Sequence, residues 1–184
     1  GDRYGIFEIS QDGEVWPLVV SSQADCLYPQ IVGEWIYYIE RAKGRYSIKK
    51  HAYKKINSSD FNKKMESHEY MAETVVDLGE TPYVFLFMPD NHYGYAISHP
   101  PYVSKKDEMV SFNYCLLDLS KATSKKLFSF SIPSDLIFSG KPNRLYEALL
   151  PVIPKVANDS VYYVHSEGLS HTDVYEYNVL TKQS

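Results

Sequence analysis

Pro29-Gln-Ile-Val-Gly-Glu-Trp35-Ile-Tyr-Tyr-Ile39 and, much later, Pro154-Lys-Val-Ala-Asn-Asp-Ser160-Val-Tyr-Tyr-Val164 are near copies, with the same gap between the proline and the Tyr-Tyr pair. In both, a short run leads through a turn into apolar residues too few for a helix, which is the pattern of a buried strand. A second alternating segment follows each copy after a polar turn: Tyr46-Ser-Ile-Lys-Lys-His-Ala-Tyr53 after the first and Asp173-Val-Tyr-Glu-Tyr-Asn-Val179 after the second. A strand-turn-strand unit used twice predicts stacked sheets built from one recipe, because each unit hides its apolar surface against a neighbour of its own kind.

Composition agrees with that architecture. The 184 residues are 44% hydrophobic and 23% charged, enough to fill a core and cover it, which excludes a disordered chain. Seventeen tyrosines with eight Phe and two Trp favour strands, where a ring packs on one face while the phenol reaches water. The net charge of −4 argues against a general nucleic-acid binder, which needs a dense basic stripe. Lysine pairs at Lys49-Lys50, Lys54-Lys55, Lys63-Lys64, Lys105-Lys106 and Lys125-Lys126 are scattered, and are expected on solvated strand edges and loops. No apolar run approaches the ~20 residues that cross a bilayer, so no direct membrane insertion is expected of this segment.

Outward from the repeat, Tyr4–Ser10 and Glu14–Val20 around Gln11-Asp12-Gly13 read as a hairpin, with Pro17 marking an edge or a bulge. Strands are expected at 27–32, 35–41, 46–53 and 74–78, then at 83–88, 93–98, 109–119 and 126–132, and finally at 152–156, 161–165 and 174–180. A loop is expected over 57–66, short helical turns over 65–70 and 145–150, and an extended connection over 99–108 stiffened by Pro100 and Pro101. The expected organisation is a single all-β repeat domain over 1–184, a segment of a larger protein. Its units fall at about 1–20 (partial), 24–80, 82–132 and 149–184 (partial). The third unit lacks a fourth strand, and the opening hairpin matches the last two strands of a unit whose first two are missing.

The stretches from Asp25 to Tyr53 and from Pro154 to Val179 resemble the blade repeat of TolB-like and WD40-like β-propellers, also used by prolyl-oligopeptidase-type proteins. The resemblance rests on Asp25-Cys-Leu-Tyr28-Pro29, Trp35-Ile-Tyr-Tyr-Ile39, the Gly44 turn and Tyr46-Ser-Ile48. Val32-Gly33-Glu34 and Ala157-Asn158-Asp159 stand where the family has a Ser-Pro-Asp-Gly type turn. The implied fold is all-β, with antiparallel four-stranded blade-like sheets in a partial β-propeller; an open β-sandwich-like stack is the alternative. The resemblance implies a periplasmic or extracellular location, with a cytoplasmic one as the alternative.

No reactive constellation emerges. Gly168-Leu-Ser-His-Thr172 lacks the second glycine of a nucleophile elbow, and Gly140-Lys141-Pro142 lacks the glycines of a phosphate cradle. The six histidines are dispersed one per segment, and Asp90-Asn91-His92 and Ser170-His171-Thr172-Asp173 offer only isolated ligands, so neither a metal nor a cofactor is expected. Cys26 and Cys115 are compatible with a disulfide or with two free thiols. The expectation is a noncatalytic protein- or ligand-interaction or sensor module of an exported or membrane-anchored protein, binding through the turn aromatics Tyr93 and Tyr102. Its partner is a protein or a small-molecule or carbohydrate ligand, and oligomerisation or intramolecular completion of the propeller accompanies that reading. The alternative is the substrate-gating propeller fragment of a peptidase or of a glycoside-active enzyme.

Overall fold

The computed structural model describes residues 4–53, 72–100, 108–134, 155–157, 160–166 and 172–178. Over these the protein is all-β, built on antiparallel four-stranded sheets. A hairpin of β1 (Ile6–Ile9) and β2 (Val15–Val19) precedes a sheet of β3 (Asp25–Val32), β4 (Trp35–Ala42), β5 (Arg45–Ala52) and β6 (Glu73–Gly79), hydrogen-bonded in chain order. A second sheet, also in sequential order, comprises β7 (Tyr83–Phe87), β8 (Tyr93–Ser98), β9 (Met109–Asp118) and β10 (Thr123–Pro133). A third holds β11 (Lys155–Ala157), β12 (Ser160–Ser166) and β13 (Thr172–Asn178). The chain forms two compact units, Gly1–Pro101 with Asn113–Ser129, and Tyr102–Phe112 with Phe130–Ser184.

The two near-copies are equivalent strands: Trp35–Ile39 opens β4 and Ser160–Val164 opens β12, each the second strand of its sheet. Turn chemistry fixes the register around β4. Val32 pairs with Trp35 across Gly33-Glu34, where Gly33 alone takes a positive φ of 59°, the position a type II′ turn reserves for glycine. Ala42 pairs with Arg45 across Lys43-Gly44, where both residues have positive φ (50° and 78°), as a type I′ turn requires. Pro29 has no N–H to give the ladder and sits in a bulge: Leu27 pairs with Ile39 and Gln30 with Tyr37, and Tyr28 beside it is left-handed at φ 54°. Pro17 likewise lies beside a bulge, since Phe7 pairs with Pro17 while Ile6 pairs with Val19.

Because side chains alternate along a strand, the apolar run of β4 serves two cores. Ile36 and Tyr38 turn to the hairpin, packing with Ile6, Leu18, Val19 and Cys26. Tyr37 and Ile39 turn the other way, packing with Ile48 and Val76 of their own sheet and with Leu86, Met88, Ala96 and Leu117 of the second. Asp25, ion-paired with Arg41 across β3 and β4, also ties the approach to the hairpin to that sheet. Buried Asp25 accepts from Arg41 Nε and Nη2 at 3.0 and 2.8 Å and from the Tyr4 amide at 3.1 Å, while the Cys26 amide donates to the Tyr4 carbonyl at 2.8 Å. On the second sheet, Tyr95 stacks on Tyr114 and Tyr114 on Phe128, with centroids 5.7 and 5.2 Å apart.

Several expected boundaries move. Strand β3 starts at Asp25 because its ladder runs on to Arg41, and β10 starts at Thr123 because a tight turn follows Asp118. Strand β11 covers Lys155–Ala157, where 152–156 was expected; residues 151–154 lie outside the described set. Lys125 and Lys126 do lie on an edge strand, but Lys49 and Lys50 do not. They belong to the interior strand β5 and are held there by Glu40 at 3.3 Å and Glu73 at 3.2 Å, which compensates their charge without needing an edge. The expected loop over 57–66, the helical turns over 65–70 and 145–150, and most of the connection over 99–108 lie outside the described residues.

Ile36→Ala and Ile39→Ala open cavities on opposite faces of one strand, and each lowers the unfolding free energy by about 2–5 kcal/mol in denaturant titrations. Tyr114 is fully buried and its phenol has no hydrogen-bond partner among the described residues; burial raises its pKa. Tyr114→Phe therefore keeps the ring stack, removes a polar atom that burial penalises, and raises stability by about 1 kcal/mol in the same measurement.

Candidate functional site

The inward face of the second sheet changes character along its strands. Its first rows are apolar: Gly94 opposite Leu117, then Leu86, Ala96 and Cys115 side by side on β7, β8 and β9. The next row is polar. Tyr83 pairs with Ser98 and Ser98 with Asn113, so a phenol, a hydroxyl and an amide lie abreast on three neighbouring strands. A bulge between Tyr83 and Phe85 brings Tyr83 onto the face that Leu86 occupies. Beside that row lies an open cleft of about 530 Å³, lined by Asp77 and Leu78 of β6 and by Ser124 and Lys126 of β10.

Hydrogen bonds organise the lining. Tyr83 Oη and Ser124 Oγ are 3.4 Å apart; Lys126 Nζ donates to Ser129 Oγ at 3.0 Å, and that hydroxyl donates to Asn113 Oδ1 at 2.9 Å. Asp77 accepts from Arg45 Nη2 at 3.0 Å and from the Gly79 amide at 2.9 Å, and these bonds hold its carboxyl below the usual range. Cys115, nearly buried at the floor, has its thiol pKa raised by burial, against hydrogen bonds from Ser98, Ser124 and Tyr83 and the charge of Lys126.

Of the aromatics expected to bind, Tyr93 opens β8 and is 45% exposed. Its amide and that of His92 both donate to Asp90 Oδ1, at 2.8 and 2.6 Å, so a rigid turn presents the ring. Asp118 lies opposite Tyr93 and is held near pKa 2 by Lys121 and Ser120. Tyr102 lies outside the described residues. Trp35 is a further exposed aromatic, with Lys50 Nζ 4.4 Å from its ring centroid.

The cysteines are free and serve different cores: Cys26 packs under the hairpin, Cys115 toward the first sheet from the second. Burial, with Glu40 and Asp25 nearby, pushes the Cys26 thiol up to about 12. Among the described residues no group of three or more His, Cys, Asp and Glu is placed to hold a metal ion, and no helix is long and apolar enough to cross a membrane. The cleft was missed in the sequence because its residue types are unremarkable one by one. The available signal was the break in inward alternation, where Ser98 follows Ala96 and Asn113 precedes Cys115 and Leu117. No family model, curated protein or solved structure matches the chain.

A thiol raised in the folded state keeps its proton after the unfolded thiol has lost it. Stability from Cys26 is therefore fully present below pH 9.0, its ordinary value, and is lost as pH rises toward about 12. Unfolding titrations across that window should show falling stability, with part of the slope removed in Cys26→Val. At pH 8 both native thiols should react with a disulfide reagent only at the rate of opening, far slower than in denaturant.

Proposed function

We propose that this chain is a noncatalytic interaction or sensor module of the TolB-like or WD40-like β-propeller type, working within an exported or membrane-anchored protein. What supports the reading is that an apolar sheet face is left open in each compact unit taken by itself. The hairpin buries Ile6 against the first sheet, yet Phe7 and Ile9, paired with Pro17 and Val15, face solvent, Ile9 at 71% exposure. Tyr37 of the first sheet is 2% exposed because the following sheet covers it; its counterpart Tyr162 in the third sheet is 38% exposed, beside Val174 at 72%. One open face is thus of the kind that receives a preceding sheet, and the other of the kind that receives a following one.

Apolar sheet faces of this sort are covered in a working protein. The proposed cover is further sheets of the same recipe, completing a propeller whose turns, Tyr93 and Tyr102 among them, present the surface that meets a partner. Rigid aromatics on tight turns offer contact area at low entropic cost, which suits recognition rather than turnover.

The test replaces Phe7→Ser, Ile9→Thr and Val15→Thr together. The chain alone should bind a hydrophobic dye and self-associate in light scattering. The triple variant should lose most of both while its unfolding midpoint stays within a few degrees, since all three side chains are exposed already. A wild-type chain that is monomeric and dye-negative would overturn the open-face argument.

A further inference from the structure

We infer that the cleft on the inward face of the second sheet is a binding site for a neutral polyhydroxylated small molecule of mono- or disaccharide size. The inference rests on the binding-module reading only in treating the cleft as a place of recognition and not of reaction. Its volume, about 530 Å³, falls within the range typical of small-ligand sites.

The composition of the lining selects the ligand. Ser98 and Tyr83 are buried, and Tyr83 Oη lies 3.4 Å from Ser124 Oγ, so the end of an apolar core here presents a row of hydroxyls that suits a polar occupant. Hydroxyl and amide groups donate and accept together, which matches a ligand whose own hydroxyls do the same. Asn113 takes Ser129 on its Oδ1, leaving its NH₂ as the donor side of the amide, and Lys126 has three N–H groups of which one is directed to Ser129. Among the described residues the charged side chains lining the cleft are Asp77, already paired with Arg45 at 3.0 Å, and Lys126, whose ammonium donates to Ser129. A neutral polyol would use both as hydrogen-bonding groups without having to displace the Arg45–Asp77 pair.

Proton–nitrogen correlation spectra of the full 184-residue chain, titrated with D-glucose, D-galactose and N-acetyl-D-glucosamine, test this directly. Acetate and phosphate serve as anion probes. Saturable shifts at the Ser98, Cys115 and Ser124 amides are expected with at least one neutral sugar. Asn113→Leu and Ser124→Val should each weaken that binding about tenfold, the worth of one well-made hydrogen bond. Should either variant unfold, Lys126→Gln, at an exposed position, provides the same comparison. No saturable shift with any of the three sugars overturns the site, as does saturation by acetate or phosphate instead, or sugar binding that all these variants leave intact. Failure of the sugar titration leaves the dye and light-scattering result standing, and the hairpin triple variant should bind sugar as the wild type does, so the two proposals fail separately.

Discussion

The central run of strand β4, Ile36 to Ile39, has no solvent face, and most of the first compact unit follows from that constraint. Ile36 and Ile39 are both fully buried although alternation sends them to opposite sides of the sheet. The hairpin must therefore lie on one side and the second sheet on the other; neither is an optional accessory. The hydrophobic contribution is of the order of 1.5–3 kcal/mol for each large side chain so buried. The cost of a sheet covered on one side only would fall on Tyr38 or Tyr37, whose rings are too large to leave exposed without loss. Asp25 supplies direction where the apolar contacts cannot. Its carboxylate takes Arg41 from β4 and the Tyr4 amide from the hairpin approach, so the hairpin docks at one end of β3 and not elsewhere along it.

That arrangement was legible in the sequence to the extent that local rules govern it. The apolar run Ile36 to Ile39, the Gly33 and Gly44 turns and the recurrence at Ser160–Val164 are short-range signals, and each corresponds to a strand or turn close to where it was expected. Boundaries slipped where a ladder outlasted the apolar pattern, as at Asp25, whose side chain is polar but whose burial is secured by Arg41. Lys49 and Lys50 were misplaced on an edge for a related reason. Charge alone says solvent, and only the cross-strand acids Glu40 and Glu73 make an interior strand hospitable to them.

The cleft was illegible for the opposite reason. Tyr83, Ser98 and Asn113 are spread over three strands, and nothing local says that they fall in one row. Their alignment depends on register, and register depends on a bulge between Tyr83 and Phe85 that no residue type announces. Tyr93 was the easier candidate because exposure and turn position can be inferred from Asp90-Asn91-His92 alone.

The position of the cleft is itself informative about how such sheets tolerate function. A stack held by two-sided burial cannot carry a polar site in its middle, where every unpaired hydroxyl would set itself against the packing. At the end of the strands, the contacts of Leu86, Ala96 and Leu117 have already secured the sheet pair, and the row beyond them is free to be polar. Ser98 and Asn113 sit one alternation step past Ala96 and two past Leu117, respectively, so the core and the site share the same strands and meet at Leu78, Tyr83 and Cys115. The same reasoning explains why burial raises the pKa of the Cys115 thiol at the border. It belongs to the core by burial and to the site as part of its floor, so it stands where one environment yields to the other.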